Sequence, residues 1–217
     1  MHGTRMVPEG TPSKARSGLL PLRKGTMLRI TFIEKADMKT TRWSGGTTTE
    51  LLILPRGADY ASRDFLVRIS TALVELESSD FTPLPDYERL IGSVEGVMRL
   101  THRFPAGRAA AVIEPVSSVH RFDGGVPTHC EGKARDLNLM LRKGRAEGTL
   151  TFMDAGEYAM LPIAENEYVL TYDLASGTAR LAEADEPDFL AFSAEGPTAV
   201  FTVRLKENAV NAQKEEL

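Results

Sequence analysis

Three short stretches carry the residue types that could do chemistry. Arg68-Ile-Ser70 puts a guanidinium and a hydroxyl two residues apart, and on a strand such residues share a face. Together they could grip a carboxylate, the arginine through its planar fork and the serine through its hydroxyl. Asp136-Leu-Asn138 places a carboxylate and a carboxamide at the same spacing, suited to accept from an amide or ammonium group or to orient Arg68. Trp43 and Thr48 stand just before Glu50, and Arg89 offers a second guanidinium. Glu50 and Asp136 could also work as a general acid and base. Each residue alone has a plainer reading. Arg68 and the Asp136 face are then solvated, Glu50 caps a strand start, and Trp43 plugs a loop.

Other site chemistries find no support. His2, His102, His120 and His129 form no His-x-His pair, and adjacent His129 and Cys130 would point to opposite faces of a strand. No metal, no cofactor and no Cys/His nucleophile pair is expected. Phosphate loops, dinucleotide fingerprints, HExxH and GxSxG are absent from the sequence.

The elements that must position these residues read as strands. Thr40 to Glu50, with the chain's only Trp and the pair Gly45-Gly46, reads as a polar loop feeding a buried strand, Leu51 to Leu54. In Asp136 to Arg142, Leu137, Leu139 and Leu141 mark a core side; Asp136, Asn138, Met140 and Arg142 face either solvent or a barrel interior. In the stretch around Arg68, Leu66, Arg68, Ser70 and Ala72 share one face, while Val67, Ile69 and Leu73 make no clean opposite one. Period-two patterning opens at Leu28, Ile30 and Phe32, which predicts a half-buried strand. Further strands are expected within 89–95, 97–102, 110–114, 119–122, 148–153, 157–161, 168–172, 178–182, 189–192 and 198–205, separated by Gly and Pro turns. No window gives an amphipathic helix. The fold class is therefore all-β, a sandwich or barrel. Residues 27–130 and 131–207 could each supply one small barrel, and the second half is expected to be structural.

The composition bounds the partners. The 217 residues have a formal net charge of -4 and no basic stripe, which argues against nucleic acid. Cys130 is the only cysteine, so no intrachain disulfide forms, and a reducing, cytoplasmic setting is expected. No apolar run is long enough to span a bilayer, so no membrane partner is expected. A homodimer stays open. Residues 1–26, rich in Pro, Gly and Ser without periodicity, are expected to form a disordered tail, 27–207 the folded domain, and 208–217 a frayed end.

Taken in order, the chain carries Thr41-x-Trp43-Ser-Gly-Gly-x-Thr48-x-Glu50, Arg68-Ile-Ser70-x-Ala72, Phe81-Thr-x-Leu-Pro-x-x-x-Arg89, Phe122-Asp-Gly and Gly132-Lys-x-x-Asp136-Leu-Asn138-Leu-Met140. This ordered set resembles the HutD/Ves family, in the branch with Trp-Ser-Gly-Gly-Thr-Thr-Thr. The resemblance spans roughly residues 27–205. It implies a bicupin, two cupin-like barrels in one chain, without the His-rich metal motif of typical cupins. It also implies a link to histidine utilisation and a small acidic ligand of the formyl- or formimino-glutamate type. On that reading Arg68 and Arg89 hold carboxylates, Ser70, Thr48 and Asn138 supply hydrogen bonds, Glu50 and Asp136 orient the arginines or accept an N–H, and Trp43 walls the pocket. Asp86 and Gly125 depart from the family pattern in loops, and Leu137 replaces a frequent Phe. The alternative is a metal-independent cupin-type hydrolase or isomerase using Glu50 and Asp136. A protein-interaction module, the third option, would need no pocket.

Overall fold

The apolar–polar alternation becomes strand in each segment where it was expected, and the strands assemble into four antiparallel sheets. The computed structural model describes residues 28–206; the expected tails at 1–26 and 208–217 lie outside the described residues. In chain order the strands are β1 (Leu28–Ile33), β2 (Lys39–Trp43), β3 (Gly46–Leu54), β4 (Val67–Val74), β5 (Ser78–Asp80), β6 (Tyr87–Glu95), β7 (Met98–Phe104), β8 (Gly107–Ile113) and β9 (Val119–Asp123). They continue with β10 (Thr128–Glu131), β11 (Ala134–Arg142), β12 (Ala146–Met153), β13 (Tyr158–Ile163), β14 (Glu167–Asp173), β15 (Ala179–Ala184), β16 (Asp188–Ser193) and β17 (Thr198–Leu205). The described helical content is two single turns of 3-10 helix, Lys35–Asp37 and Tyr60–Ser62. No described helix is long and apolar enough to cross a membrane.

A six-stranded sheet ordered β2-β3-β4-β11-β6-β9 and a four-stranded sheet ordered β5-β10-β7-β8 make the first barrel. A five-stranded sheet ordered β1-β15-β14-β17-β12, with the two-stranded sheet β13-β16, makes the second. This is a bicupin. The division of the chain differs from the expected one at 130/131. β11 lies between β4 and β6, at the centre of the first barrel's large sheet, and β1 crosses over to pair with β15 in the second. A central strand needs an antiparallel partner on both edges, and those partners come from residues some 65 and 45 positions earlier, as their registers show.

The main core lies between the barrels. Leu137, Leu139 and Leu141 of β11, with Val67, Ile69 and Leu90 from its neighbours, pack against Leu150, Leu170, Leu181, Phe201 and Val203 of the other large sheet. Each fully buried side chain of this kind is worth about 1.5–3 kcal/mol of transfer free energy. The Leu side of β11 is thus core as expected, but the core of an interface rather than of a barrel. The first barrel's interior has its own cluster of Ile91, Met98, Leu100, Ile113 and Cys130. The second barrel's interior has Ile163, Val169, Ala182, Ala184, Leu190 and Val200.

Three expectations need correction. Thr40 to Glu50 is no loop but a β-hairpin, β2 running into β3. β2, Lys-Thr-Thr-Arg-Trp, is exposed along its length and sits at the sheet edge, so it shows no apolar alternation to read. β5 and β10, of three and four residues, are too short to show a pattern. On β4 the alternation is clean: Val67, Ile69 and Thr71 are buried opposite Arg68 and Ser70, and Leu73 is exposed where the strand runs past the core. On β1, Leu28, Ile30 and Phe32 do share a face, but only Leu28 packs against the core. Ile30 is 46% exposed and Phe32 is 66% exposed, with the Arg180 guanidinium 5.4 Å from the Phe32 ring.

Candidate functional site

The polar face of the first barrel's large sheet looks inward. Pairing across the strands lines up its residues in rungs. Thr48, Ala72 and Asp136 form one, continued to Ser93 of β6. Glu50, Ser70, Asn138 and Ile91 form the next, and Arg68, Met140, Arg89 and Phe122 the third. A bulge between Glu50 and Leu52 shifts β3 by one residue. It keeps Glu50 on the inner face while Ile53, three residues on, faces inward as well beside Arg68.

From these rungs Thr48, Ala72, Asp136, Ser70, Asn138, Arg68, Met140 and Arg89 line a cavity of about 340 Å³, together with Thr41, Trp43, Tyr60, Arg63, Ser79, Asp80, Phe81 and Thr82. Of the eight residues singled out from the sequence, Trp43, Thr48, Arg68, Ser70, Arg89, Asp136 and Asn138 line it directly. Glu50 stands behind: its Oε2 accepts from Arg68 Nε at 2.8 Å. Arg68 also donates to Ser70 Oγ at 3.3 Å and lies 4.1 Å from the Tyr60 ring centre. The solvated-face reading of Arg68 and of Asp136 is therefore overturned, since both are buried.

Arg89 is held differently. Its guanidinium lies over Phe81 at 4.7 Å and Phe122 at 5.3 Å. Among the described residues no carboxylate comes within 4.0 Å of it, and its Nε has no hydrogen-bond partner. Burial pulls its pKa down to about 10, against the pull of Tyr60 and Asp136. Asp136 is buried four residues along the sheet, opposite Ser93 rather than Arg89, about 13 Å of strand away. Burial pushes its carboxyl up to about 7, opposed by Arg89. Asn138 Oδ1 is buried without a donor. A guanidinium, a carboxyl and a carboxamide oxygen thus converge on one space with unused hydrogen-bonding capacity. Leaving such groups unpaired costs about 1–3 kcal/mol each, more for a charge.

Trp43 is 38% exposed at the cavity edge, and its Nε1–H donates to Thr48 Oγ1 at 3.2 Å. The glycine pair explains its pose. A Cβ on Gly45 would lie 2.0 Å from the indole, so the ring lies across that backbone. Gly46 has φ +149°, and a Cβ there would meet Leu73 O at 1.9 Å.

Tyr60 and Arg63 carry no local signal in the sequence; they sit on the short 3-10 turn between β3 and β4 and at its C-terminal end. Arg63 stacks 3.8 Å from the Tyr60 ring centre, at a positive φ of 58°. Phe81, by contrast, belongs to the motif that includes Arg89. Elsewhere in the first barrel, His102 Nε2 and His120 Nε2 are 2.8 Å apart, and His102 Nδ1 meets Thr128 Oγ1 at 2.8 Å. Among the described residues no group of three or more His, Cys, Asp or Glu converges as for a metal ion. Cys130 is buried, with its thiol pushed up to about 12, which makes it unreactive. A wider depression of about 810 Å³ on the second barrel is lined mainly by exposed side chains, and its two cations, Arg204 and Lys206, both pair with Glu147.

The family model named HutD matches residues 35–210. Among solved structures, the conserved protein of unknown function PA5104 from Pseudomonas aeruginosa PAO1 is 23% identical, with a TM-score of 0.67, over 82% of this chain and 100% of that one. HutD from Pseudomonas fluorescens SBW25 is 22% identical, with a TM-score of 0.67 and the same coverage. YhhW from Escherichia coli is 10% identical, with a TM-score of 0.58, over 82% of this chain and 98% of that one. At these identities the likeness shows a shared fold. No curated protein matches the chain.

Proposed function

We propose a function for this chain as what it is, a member of the HutD family: its first barrel binds a small acidic metabolite that also carries an N–H donor. Formyl- or formimino-glutamate, linked to histidine utilisation, is the leading class, and the protein would sense or buffer it. The observation that carries this reading is Arg89, a buried guanidinium facing a cavity with no carboxylate within 4.0 Å among the described residues. A carboxylate on Arg89 would gain charge-assisted hydrogen bonds worth about 1.5–3 kcal/mol. Asn138 Oδ1 would take the N–H, and Arg68, fixed by Glu50 and Ser70, would hold a second acidic end with Arg63. Trp43 walls the entrance.

Calorimetry with N-formyl-glutamate, formimino-glutamate, urocanate and histidine tests the reading. Binding of at least one acidic ligand, lost in Arg89→Ala, is the expected result. If none binds, or if Arg89→Ala and Arg68→Ala bind as well as the parent, the site assignment fails.

One observation favours an enzyme as the second reading. Asp136 sits near neutrality in a cavity, the range suited to proton transfer. Glu50 is less suited to be its acid–base partner, being committed to Arg68. Turnover of a metabolite that is lost in Asp136→Asn while binding persists would establish catalysis.

A further inference from the structure

With Asp136 ionised the buried charges around the cavity balance, and a bound anion upsets that balance. Glu50 and Arg68 neutralise each other at 2.8 Å. Arg89 is then the one buried cation lining the cavity without a carboxylate within 4.0 Å among the described residues. The other ionisable groups around the cavity do not change this count. Tyr60 and Arg63 come from the segment before β4, and Arg63 is partly exposed. Asp80 of β5 faces His129 of β10 at 2.9 Å on the exposed side. Cys130 of β10 is a neutral thiol, and His120 of β9 is engaged with His102. A single cation cannot compensate both a ligand carboxylate and an ionised Asp136 in a buried space, where unpaired charge is costly.

We propose that the pocket takes up its acidic ligand together with a proton, so that Asp136 is a neutral carboxylic acid in the complex. This rests on the reading of the cavity as an anion site. The proton comes from solvent. Its O–H then donates within the cavity, where the carboxylate has no protein donor and no cation within 4.0 Å among the described residues. Arg89 is left free to neutralise the ligand. The position of Asp136 near neutrality in the empty protein puts the linkage in an accessible pH range.

The test is calorimetry of the full chain with N-formyl-L-glutamate and glutarate at pH 6, 7, 8 and 9, at each pH in two non-phosphate buffers that hold that pH and differ in ionisation heat. The different ionisation heats of the two buffers count the protons taken up. Uptake near zero at pH 6 should rise towards one at pH 8–9. Affinity should weaken about fivefold between pH 7 and 8 and about tenfold more by pH 9, as linkage to one group titrating near 7 requires. Asp136→Asn, which cannot ionise, should bind with affinity that no longer changes over this range. If the variant does not fold, the carboxyl carbon shift of Asp136 in the parent replaces it, reading a protonated acid in the complex at pH 8. Binding without proton uptake, or a carboxylate shift in the complex, overturns the linkage and leaves the anion site standing. No binding of either compound at pH 6 removes both.

Discussion

The two barrels share one fold and turn opposite kinds of surface inward. β11, in the first, points Leu137, Leu139 and Leu141 at the inter-barrel core and Asp136, Asn138 and Met140 into a cavity. β17, in the second, points Ala199, Phe201 and Val203 at the same core, but Val200 goes into an apolar interior with Val169, Ala182 and Leu190. The shared sheet-to-sheet core stabilises both. The first barrel can therefore carry buried polar groups without partners, and the second has no need to. The second barrel's arginine on its inner face, Arg180, is half exposed and reaches Glu195 at 3.5 Å.

The comparison breaks most visibly at the interface. Leu139→Ala should destabilise the whole chain by about 2–5 kcal/mol in denaturant titration, because it leaves a cavity between two packed sheets. Unfolding by β-sheet circular dichroism should stay a single transition. Two separated transitions would mean that the barrels do not depend on their common core.

Asp136 gives the next effect, and its sign follows from its raised pKa. Between the ordinary value near 3.8 and about 7 the folded chain keeps a proton that the unfolded chain has released. Stability therefore falls as pH rises through that window and is lowest above it. Asp136→Asn should be the more stable protein above pH 7, by at most about 4 kcal/mol, with the gap closing towards pH 4. Equal stability at pH 8 would show that the carboxylate has a partner there.

Arg89→Ala should weaken acidic ligands by roughly 10- to 150-fold, the size of a lost hydrogen bond to a charged group. It should cost little stability, since it also removes a buried unpaired cation. Arg180→Ala, its counterpart in the second barrel, should change neither affinity nor stability by more than about 0.5 kcal/mol. An affinity loss in Arg180→Ala would move the site to the wrong barrel.

A further effect lies at the cavity edge. Gly45→Ala must push the Trp43 indole aside at a cost of about 1–3 kcal/mol. With one Trp in the chain, its intrinsic fluorescence reports both that shift and the arrival of ligand. An unchanged emission spectrum in Gly45→Ala would show that the ring does not lie where described.

Much of this was legible in the residues themselves. The all-β class, the strand segments and the face-sharing of Asp136 with Asn138 and of Arg68 with Ser70 follow from a period of two, which is a property of a few consecutive residues. The ordered motifs pointed to the seven residues that line one cavity and to Glu50 behind them. The hairpin from Thr40 to Glu50 was not legible, because an edge strand of exposed polar residues carries no alternation. Nor were Tyr60 and Arg63, because a single 3-10 turn is too short to show a period.

What the amino-acid order determined by itself is which side chains point the same way. Whether that side meets solvent, a partner sheet or a closed space was decided only by the tertiary structure. Asp136 looks like a surface residue until β4 and β6 close on either side of it and the small sheet covers it. The exchange of β1 into the second barrel and of β11 into the first was fixed in the same way. Strand neighbours come from distant parts of the chain, so the surroundings that set a pKa or leave a guanidinium unpaired are written in pairing, not in spacing.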